Sequence, residues 1–431
     1  MKCLIFHKTL RNIRKRHGLT QEEFAKKLEC TPEHIIALES NNEPVAFEFA
    51  VKLMDAFDLH GSPITELARA ALMDSLQKWK ILIDYGEMDK AAALKQELEK
   101  GARESYSPSA EIFYDLFSAS YYWAINDMDS VREAMAALEQ RTEGFSARHW
   151  YYYYRLVAAL EYRAYRHKEA LIAYKAAEKL DKENKMGNVG FYFGYGTCLV
   201  NMGFMERAVE YLDKAQHMSN WSKIYDGKPN RRYAASIDGM LAIALSKLGR
   251  CDEALAILDK RLPVELKRNS REHIGFTYYS YGVVYSRKRD YDKAIDNFDK
   301  ALDYLSVSGD SYKSSLQYKA IALIESDNIT EGLQCIDKGL SMPIDDITRA
   351  LLEALKCSVT MNDPKSLEYM EDTVMPELLR CGQYLDAVKF FKILSTHYSD
   401  AKKFERALEY SNVALEVYEQ LYEERIEGGL Q

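Results

Sequence analysis

The first apolar positions of the chain recur at helical spacing. Leu10, Ile13 and His17 lie on one stripe with Arg11, Arg14, Lys15 and Arg16 around it, and Gly18 stands where a helix with a basic last turn ends. Thr20-Gln21-Glu22-Glu23 reads as a capping box, in which the Thr20 hydroxyl accepts from the Glu23 amide and the Glu23 carboxylate reaches back. The helix behind it runs to about Leu28 and buries Phe24, Ala25 and Leu28. Thr31-Pro32 opens a third helix, with Thr as cap and Pro at the first helical position, where its missing N–H costs nothing. That helix carries Ile35, Ile36 and Leu38 and ends near Ser40. Pro44 restarts the chain into a fourth helix, with Phe47, Ala50, Val51, Met54 and Phe57 expected inward.

Past residue 60 a longer period takes over. Tyr278, Gly282, Tyr285, Tyr291, Ala294, Phe298 and Ala301 place small residues where two antiparallel helices cross and bulky ones where they meet the next pair. This is the spacing of a tetratricopeptide unit. The same frame fits Tyr195, Gly196, Leu199, Gly203, Ala208, Leu212 and Ala215, and again Leu241, Ala242, Leu245, Gly249, Ala254 and Leu258. Ala158, Ala170, Tyr174 and Ala177 form another, and Leu394, Tyr398, Phe404, Ala407 and Ala414 a late one. Weaker frames anchor on Ala91, Val131, Gly332 and Ser366. The second-helix anchors then stand at 91, 131, 170, 208, 254, 294, 332, 366 and 407, mostly further apart than the minimal repeat, with the widest gap assigned to an inserted loop from Asn220 to Arg232. A single pair cannot bury its own apolar face, so stacking makes a continuous right-handed superhelix. The segment from Ala407 to Glu424 is a charged helix suited to cap the array.

Composition agrees. The chain of 431 residues is 47% apolar and has only 9 Pro and 21 Gly, which favours long helices over a turn-rich β fold. Most of the 31 Tyr are expected to fill gaps between repeats. The net charge of −8 argues against a nucleic-acid coat over the whole surface, but its distribution is uneven. Lys2, Lys8, Arg11, Arg14, Lys15, Arg16, Lys26 and Lys27 face only Glu22 and Glu23 in the first 28 residues, the local basic patch of a DNA-contacting module. The seven Cys form no CxxC and read as reduced thiols, no stretch approaches the ~20 apolar residues of a membrane span, and the apolar run from Cys3 to Phe6 is too short for a secretion signal. A cytoplasmic protein without membrane partners is expected. No HExxH, P-loop or Gly-x-Ser-x-Gly is present, and the nine His show no metal-ligand spacing, so neither an enzyme nor a cofactor is expected.

The two short helices, their three-residue turn and the flanking helices make a helix-turn-helix module. The segment from Arg14 to Leu28 resembles the phage-repressor-like (Xre/Cro) family, over about residues 7–60. The resemblance implies that Gln21, at a helix N-terminus, touches a phosphate, and that Arg14 and Glu39 pair between the first and third helices. It implies that Thr31, Glu33, His34 and Ala37 face the major groove of a double-stranded operator, with Arg11, Lys15, Asn41 and Asn42 completing the contact set. The recognition helix departs from the family in having no Arg or Lys, and Ser40-Asn41-Asn42 lacks the usual Gly and basic residue. Glu33 accepts from a cytosine amine but repels phosphate, so salt-sensitive binding by a homodimer or higher oligomer is expected.

The concave side of such an array is lined by the first helix of each pair. The frames place Tyr152, Arg155, Tyr162, Arg163, Phe193, Asn201, Tyr279, Arg287 and Gln317 there, a set of rings, guanidinium groups and amides suited to a short extended peptide. An all-α chain with a helix-turn-helix domain (1–62) and about nine tetratricopeptide pairs (63–431, for peptide binding and dimerisation) resembles the peptide-pheromone receptors of Gram-positive bacteria. These are the Rap, Rgg, NprR, PlcR and PrgX family, and NprR-like regulators match in domain order and repeat number. The resemblance implies a quorum-sensing transcription regulator switched by a short signalling peptide, with Asn201 on the peptide backbone. A second reading is a scaffold that sequesters a protein partner such as a response regulator, with DNA binding weakened or lost.

Overall fold

The computed structural model describes residues 10–40, 47–59, 63–104, 107–184, 187–221, 233–381 and 383–427, and every regular element among them is helical. The chain divides into two compact units, residues 1–156 with 177–186 and residues 157–176 with 187–431.

The first unit opens with α1 (residues 10–16), α2 (Gln21–Lys27), α3 (Pro32–Glu39) and α4 (Phe47–Phe57). The local signals set these bounds. Gly18 takes φ +67° behind α1, where a side chain would be strained. Thr20 and Glu23 close the expected capping box, and the Thr31 hydroxyl accepts from the His34 amide at 3.3 Å. Leu10, Phe24, Ala25, Leu28, Ile35, Leu38 and Leu53 form a core with almost no exposure. The expected inward face of α4 needs correction. Ala50 and Phe57 are buried, but Phe49 and Leu53 take the places given to Val51 and Met54, which are only half-buried. The Phe47 side chain lies outside the described residues. Glu48, Lys52 and Asp55 form the exposed stripe of α4 at i, i+4 and i+7, and the face opposite them is centred on Ala50, Leu53 and Phe57, so Val51 falls at its margin. Ile36, also apolar, is 46% exposed on the outer side of α3.

Paired helices follow: α5 (Pro63–Tyr85) with α6 (Met88–Glu104), and α7 (Pro108–Ala124) with α8 (Met128–Glu139). A 3-10 turn (Thr142–Gly144) leads to α9 (Ala147–Arg163) and α10 (His167–Asn184), whose residues are shared between the two units. In the first unit the Trp79 indole donates to the Ala91 carbonyl at 2.9 Å and its ring stacks on Tyr114, so the small anchor of this pair is also its hydrogen-bonded crossing point.

The second unit continues with α11 (Val189–Asn201) and α12 (Met205–Trp221), α13 (Ala234–Lys247) and α14 (Cys251–Arg268), α15 (Arg271–Arg287) and α16 (Tyr291–Tyr304). Then come α17 (Asp310–Glu325) and α18 (Ile329–Leu340), α19 (Asp346–Thr360) with α20 (Pro364–Tyr369) and α21 (Met375–Arg380), and α22 (Tyr384–Asp400) with α23 (Phe404–Glu427). Ala170, Ala208, Ala254 and Ala294 have no exposure, as anchors at a close crossing require. Gly282 shows how close: a Cβ there would stand 2.5 Å from the Phe298 ring. The loop from Asn220 to Arg232 falls mostly outside the described residues.

The helix-to-helix turns within pairs repeat one device. Gly86, Asn126, Tyr165, Gly203, Gly249, Arg289, Asp327 and Lys402 all take positive φ, which reverses the chain in the fewest residues. The pair built on α19 has no such residue. There Pro364 opens the second helix, and a π turn over Met370–Val374 divides α20 from α21. The Ser366 anchor is correspondingly displaced: Ser366 is half-buried, and the buried contacts fall on Met370 and Val374.

Candidate functional site

In the head, Glu39 is the best-satisfied charge. Its side chain is fully enclosed and accepts from Arg14 Nε at 2.6 Å, Arg14 Nη2 at 2.9 Å and Gln21 Nε2 at 2.9 Å, with Arg11 Nε at 3.5 Å. Burial pushes its pKa up, but the hydrogen bonds from Arg14 and Gln21 and the charges of Arg14 and Arg11 prevail and hold it below the ordinary carboxylate value. The Arg14–Glu39 pair expected from the resemblance is therefore present. Gln21, expected on a phosphate, has its side-chain amide engaged by Glu39.

Thr31 and Glu33 are exposed on α3, His34 and Ala37 half-buried. The His34 ring lies edge-on to Phe49 at 5.4 Å, so it closes the core as well as bordering the surface. Arg11 and Lys15 are exposed on α1. Asn41 and Asn42 lie outside the described residues. Ile36, not among the expected contacts, joins Glu33 and Ser40 on the exposed side of α3. Its i, i+3 spacing from Glu33 was visible in the sequence, but an Ile beside two core residues reads as a third.

The nine residues expected in one groove separate between the units. Tyr152 and Arg155 belong to the first, where the Tyr152 ring packs on Phe117 at 5.0 Å and the Arg155 guanidinium sits over Tyr151 at 5.4 Å. The other seven belong to the second. Phe193 packs on Tyr233 at 5.6 Å, Arg163 and Arg287 are exposed, and Gln317 is half-buried.

Four of those seven sit in a regular stripe or beside it. Asn201 Nδ2 donates to the Tyr162 hydroxyl at 2.9 Å, joining two consecutive pairs. Arg163, Asn201 and Arg287 each stand seven residues before the anchors Ala170, Ala208 and Ala294, and Lys247 stands seven before Ala254. Lys247 was missed, although the frame that selected Asn201 and Arg287 also selects it.

Other residues gather at the same face from pairs far apart in sequence. The Tyr279 ring stands 5.9 Å from Tyr318 and lies within electrostatic range of Tyr162; burial, then these neighbours, drives its phenol well above the ordinary value. Tyr318 in turn neighbours Lys389, Asp386 and Arg287. Tyr165, in its left-handed turn, hydrogen-bonds Asp345, and burial with the charges of Asp345 and Asp310 pushes it up to about 12. Lys247 is pushed down to about 8 by burial and then by the cations Arg287 and Lys389, with Asp386 opposing. The inner face of the second unit thus runs from a Tyr–Asn–Asp end, across the rings of Tyr279 and Tyr318, to a basic end. Among the described residues no cluster of His, Cys, Asp and Glu is arranged to hold a metal, and no helix is long and apolar enough to cross a membrane.

A capped four-helix head and stacked helix pairs define a helix-turn-helix protein with a tetratricopeptide array. Comparison with known proteins gives the same two parts: residues 10–63 match a helix-turn-helix family and residues 233–306 a tetratricopeptide repeat family. The chain is homologous to the transcriptional activator NprA of Geobacillus stearothermophilus, at 21% identity over 383 residues, 85% of this chain and 92% of that one. Its fold matches a Rap protein solved with competence and sporulation factor (TM-score 0.70, 16% identity, 82% of this chain and 99% of that one). It also matches the quorum sensor NprR from B. thuringiensis in its apo form (TM-score 0.64, 17% identity, 80% and 98%). NprR in complex with its cognate peptide NprX matches as well (TM-score 0.66, 16% identity, 81% and 98%).

Proposed function

We propose that this protein is a cytoplasmic transcription regulator that binds operator DNA through residues 1–62 and is switched by a short signalling peptide held by residues 63–431. The observation that carries this reading is the inner face of the second unit, where Tyr162, Asn201, Tyr279 and Tyr318 share a face with Lys247 and Arg287, two cations that make no ion pair among the described residues. Such a face offers an extended peptide amide and hydroxyl partners for its backbone and rings for its side chains. The peptide acts only through its differential affinity for two states of the array. Thr31, Glu33, Ala37 and the cations Arg11 and Lys15 are the proposed DNA contacts, with Gln21 and Arg14 holding the frame. Because α3 presents so few base-reading groups, two copies on a two-fold operator are required.

The test uses the full chain. Duplexes selected from a random pool are titrated by fluorescence anisotropy at rising salt, with and without pools of short peptides. Affinity is expected to fall on the order of 10³-fold between roughly 50 and 200 mM salt, and a peptide pool to change it or the oligomeric state. No binding to any duplex at low salt would overturn the DNA half, and peptide retention without effect on DNA affinity or assembly would overturn the switch.

The exposed Glu33 and Ile36, with no cation on α3, favour a second reading in which the array sequesters a protein such as a response regulator. Capture of that partner at high salt by a chain that ignores DNA would select it.

A further inference from the structure

The charges on the inner face of the second unit are matched at one end and unmatched at the other. At the Tyr165 end, Asp345 caps α19 by accepting from the Thr348 amide and hydroxyl at 2.8 Å each, and also meets Tyr165. Asp310 there pairs with Lys313 at 3.4 Å. These carboxylates are answered by the fold itself.

At the other end, Arg287 at the last position of α15 and Lys389 on α22 both lie within charge–charge range of Lys247 at the last position of α13. Only Lys389 has a carboxylate, Asp386 one turn before it at 2.6 Å. Neither Lys247 nor Arg287 makes a hydrogen bond or ion pair among the described residues. Half-buried Lys247 stands with the exposed Arg287 and Lys389 beside the half-buried ring of Tyr318, three cations against one acid at a position a solvated ligand can reach. Lys247 and Arg287 also occupy the same frame position in consecutive pairs, as Arg163 and Asn201 do in the two pairs before, so the cations belong to one regular stripe.

We propose that Lys247, Arg287 and Lys389 form a carboxylate site that receives the free C-terminus of the bound peptide, whose chain then runs over Tyr318 and Tyr279 toward Tyr162 and Asn201. This rests on the peptide-receptor reading and adds a direction and a chemical requirement to it. Arg287 supplies a planar fork matched to two carboxylate oxygens, and the lysines supply point charges. A carboxylate arriving there also relieves the repulsion among the cations, so the site is more favourable filled than empty. Burial first, and then the charges of Arg287 and Lys389, hold the Lys247 pKa down.

The experiment uses the full chain and synthetic random heptapeptides in two pools, one with a free C-terminal carboxylate and one amidated. Peptides retained by the protein are identified by mass spectrometry, and the best one is titrated by calorimetry in both forms. On the native chain amidation is expected to weaken binding about tenfold or more, which is 1.4 kcal/mol per decade. On the double variant Lys247→Met with Arg287→Met the two forms should bind within about twofold of each other. Lys247→Arg should restore most of the difference when Arg287 is kept. The free-against-amidated ratio is measured within each variant, so a general loss of fold does not mimic the result; helicity by circular dichroism confirms that the variants are folded. Equal retention of the amidated pool by the native chain would overturn the proposal, as would a difference that survives the double substitution. An inorganic phosphate titration forms a further arm. Competition by phosphate with no preference for free carboxylates would assign the site to a phosphoryl ligand and overturn it too. If neither pool is retained, the peptide-receptor reading itself fails.

Discussion

The head and the second unit use charge in opposite ways. In the head the deepest carboxylate, Glu39, is held by Arg14 and Gln21 and approached by Arg11, so charge there fixes the angle between α1, α2 and α3. On the inner face of the second unit Lys247 and Arg287 lie within range of each other, and neither has an ion-pair partner among the described residues. Satisfied charge marks architecture and unsatisfied charge marks a place for something else. The two cases are separable by substitution, since removing a group should cost stability in the head and relieve the fold in the array.

The largest effect is expected from Glu39→Ala. It strands the Arg14 guanidinium, 13% exposed, and leaves the Gln21 amide without its acceptor. Breaking a buried pair from one side costs about 3 kcal/mol, comparable to the whole stability of a small four-helix head. Hydrogen exchange of amides in residues 10–40 should accelerate strongly while the array keeps its protection. The pH dependence has a definite sign. The folded pKa of Glu39 is depressed, so its contribution is complete above the ordinary Glu value near 4.5 and is lost as pH falls through the folded value. A head that keeps native protection in the Ala variant would show that the apolar core alone holds it.

Next is Gly282→Val. The added Cβ would meet Phe298 at 2.5 Å, and Phe298 is fully buried, so the ring has nowhere to go. Forcing α15 and α16 apart costs about 1–3 kcal/mol, read as a lower thermal midpoint of the array with the head unaffected. An unchanged midpoint would mean that the pairs tolerate a wider crossing than the frame implies.

The regions also differ in how far they can be read from sequence. The head is local: its capping box spans Thr20 to Glu23, its second cap Thr31 to His34, and its turn is set by Gly18. Two positions misled: Ile36, which reads as core but is exposed, and the face of α4, where the charged stripe of Glu48, Lys52 and Asp55 marks Ala50, Leu53 and Phe57 as inward rather than Val51. The array is legible for the same reason at a longer period, and all nine second-helix anchors fall within helices α6 to α23. The inner face is not local. That Tyr165 meets Asp345, or that Lys247 shares a neighbourhood with Lys389, follows from the coil of the array and from no spacing. The frame could point to Lys247 but could not say that it stands beside two more cations.

A smaller effect, opposite in sign to the first two, is expected at Lys247. Its folded pKa is about 8, below its unfolded value near 10.5. Below pH 8 the folded state carries the full penalty of the charged group. Between pH 8 and the unfolded value the folded state has released the proton and the unfolded state has not, so stability rises with pH across that window. Lys247→Met should stabilise the array at pH 7 by on the order of 1 kcal/mol once solvent screening is allowed for, and should flatten its stability between pH 8 and 10. Destabilisation would show that Lys247 is a structural group after all, and would remove the contrast with Glu39.

The smallest effect concerns Tyr165, and it bears on the matched end of the face. The residue takes φ +59°, where glycine and asparagine are at home and a bulky side chain is not. Of the described turn residues in this conformation it is the only aromatic one, so its ring is kept for a reason other than the turn. The visible reason is its hydrogen bond to Asp345, which joins pairs distant in sequence. Tyr165→Phe removes that bond alone and should cost about 0.5–1 kcal/mol. Tyr165→Gly removes it too, but relieves the left-handed strain of roughly 1 kcal/mol, so the two losses and gains should nearly cancel in the thermal midpoint. The pair of variants therefore separates bond from backbone. If Phe proves neutral, the phenol does not brace the coil, and Tyr165 with Asp345 belongs with Lys247 among the groups left for a ligand.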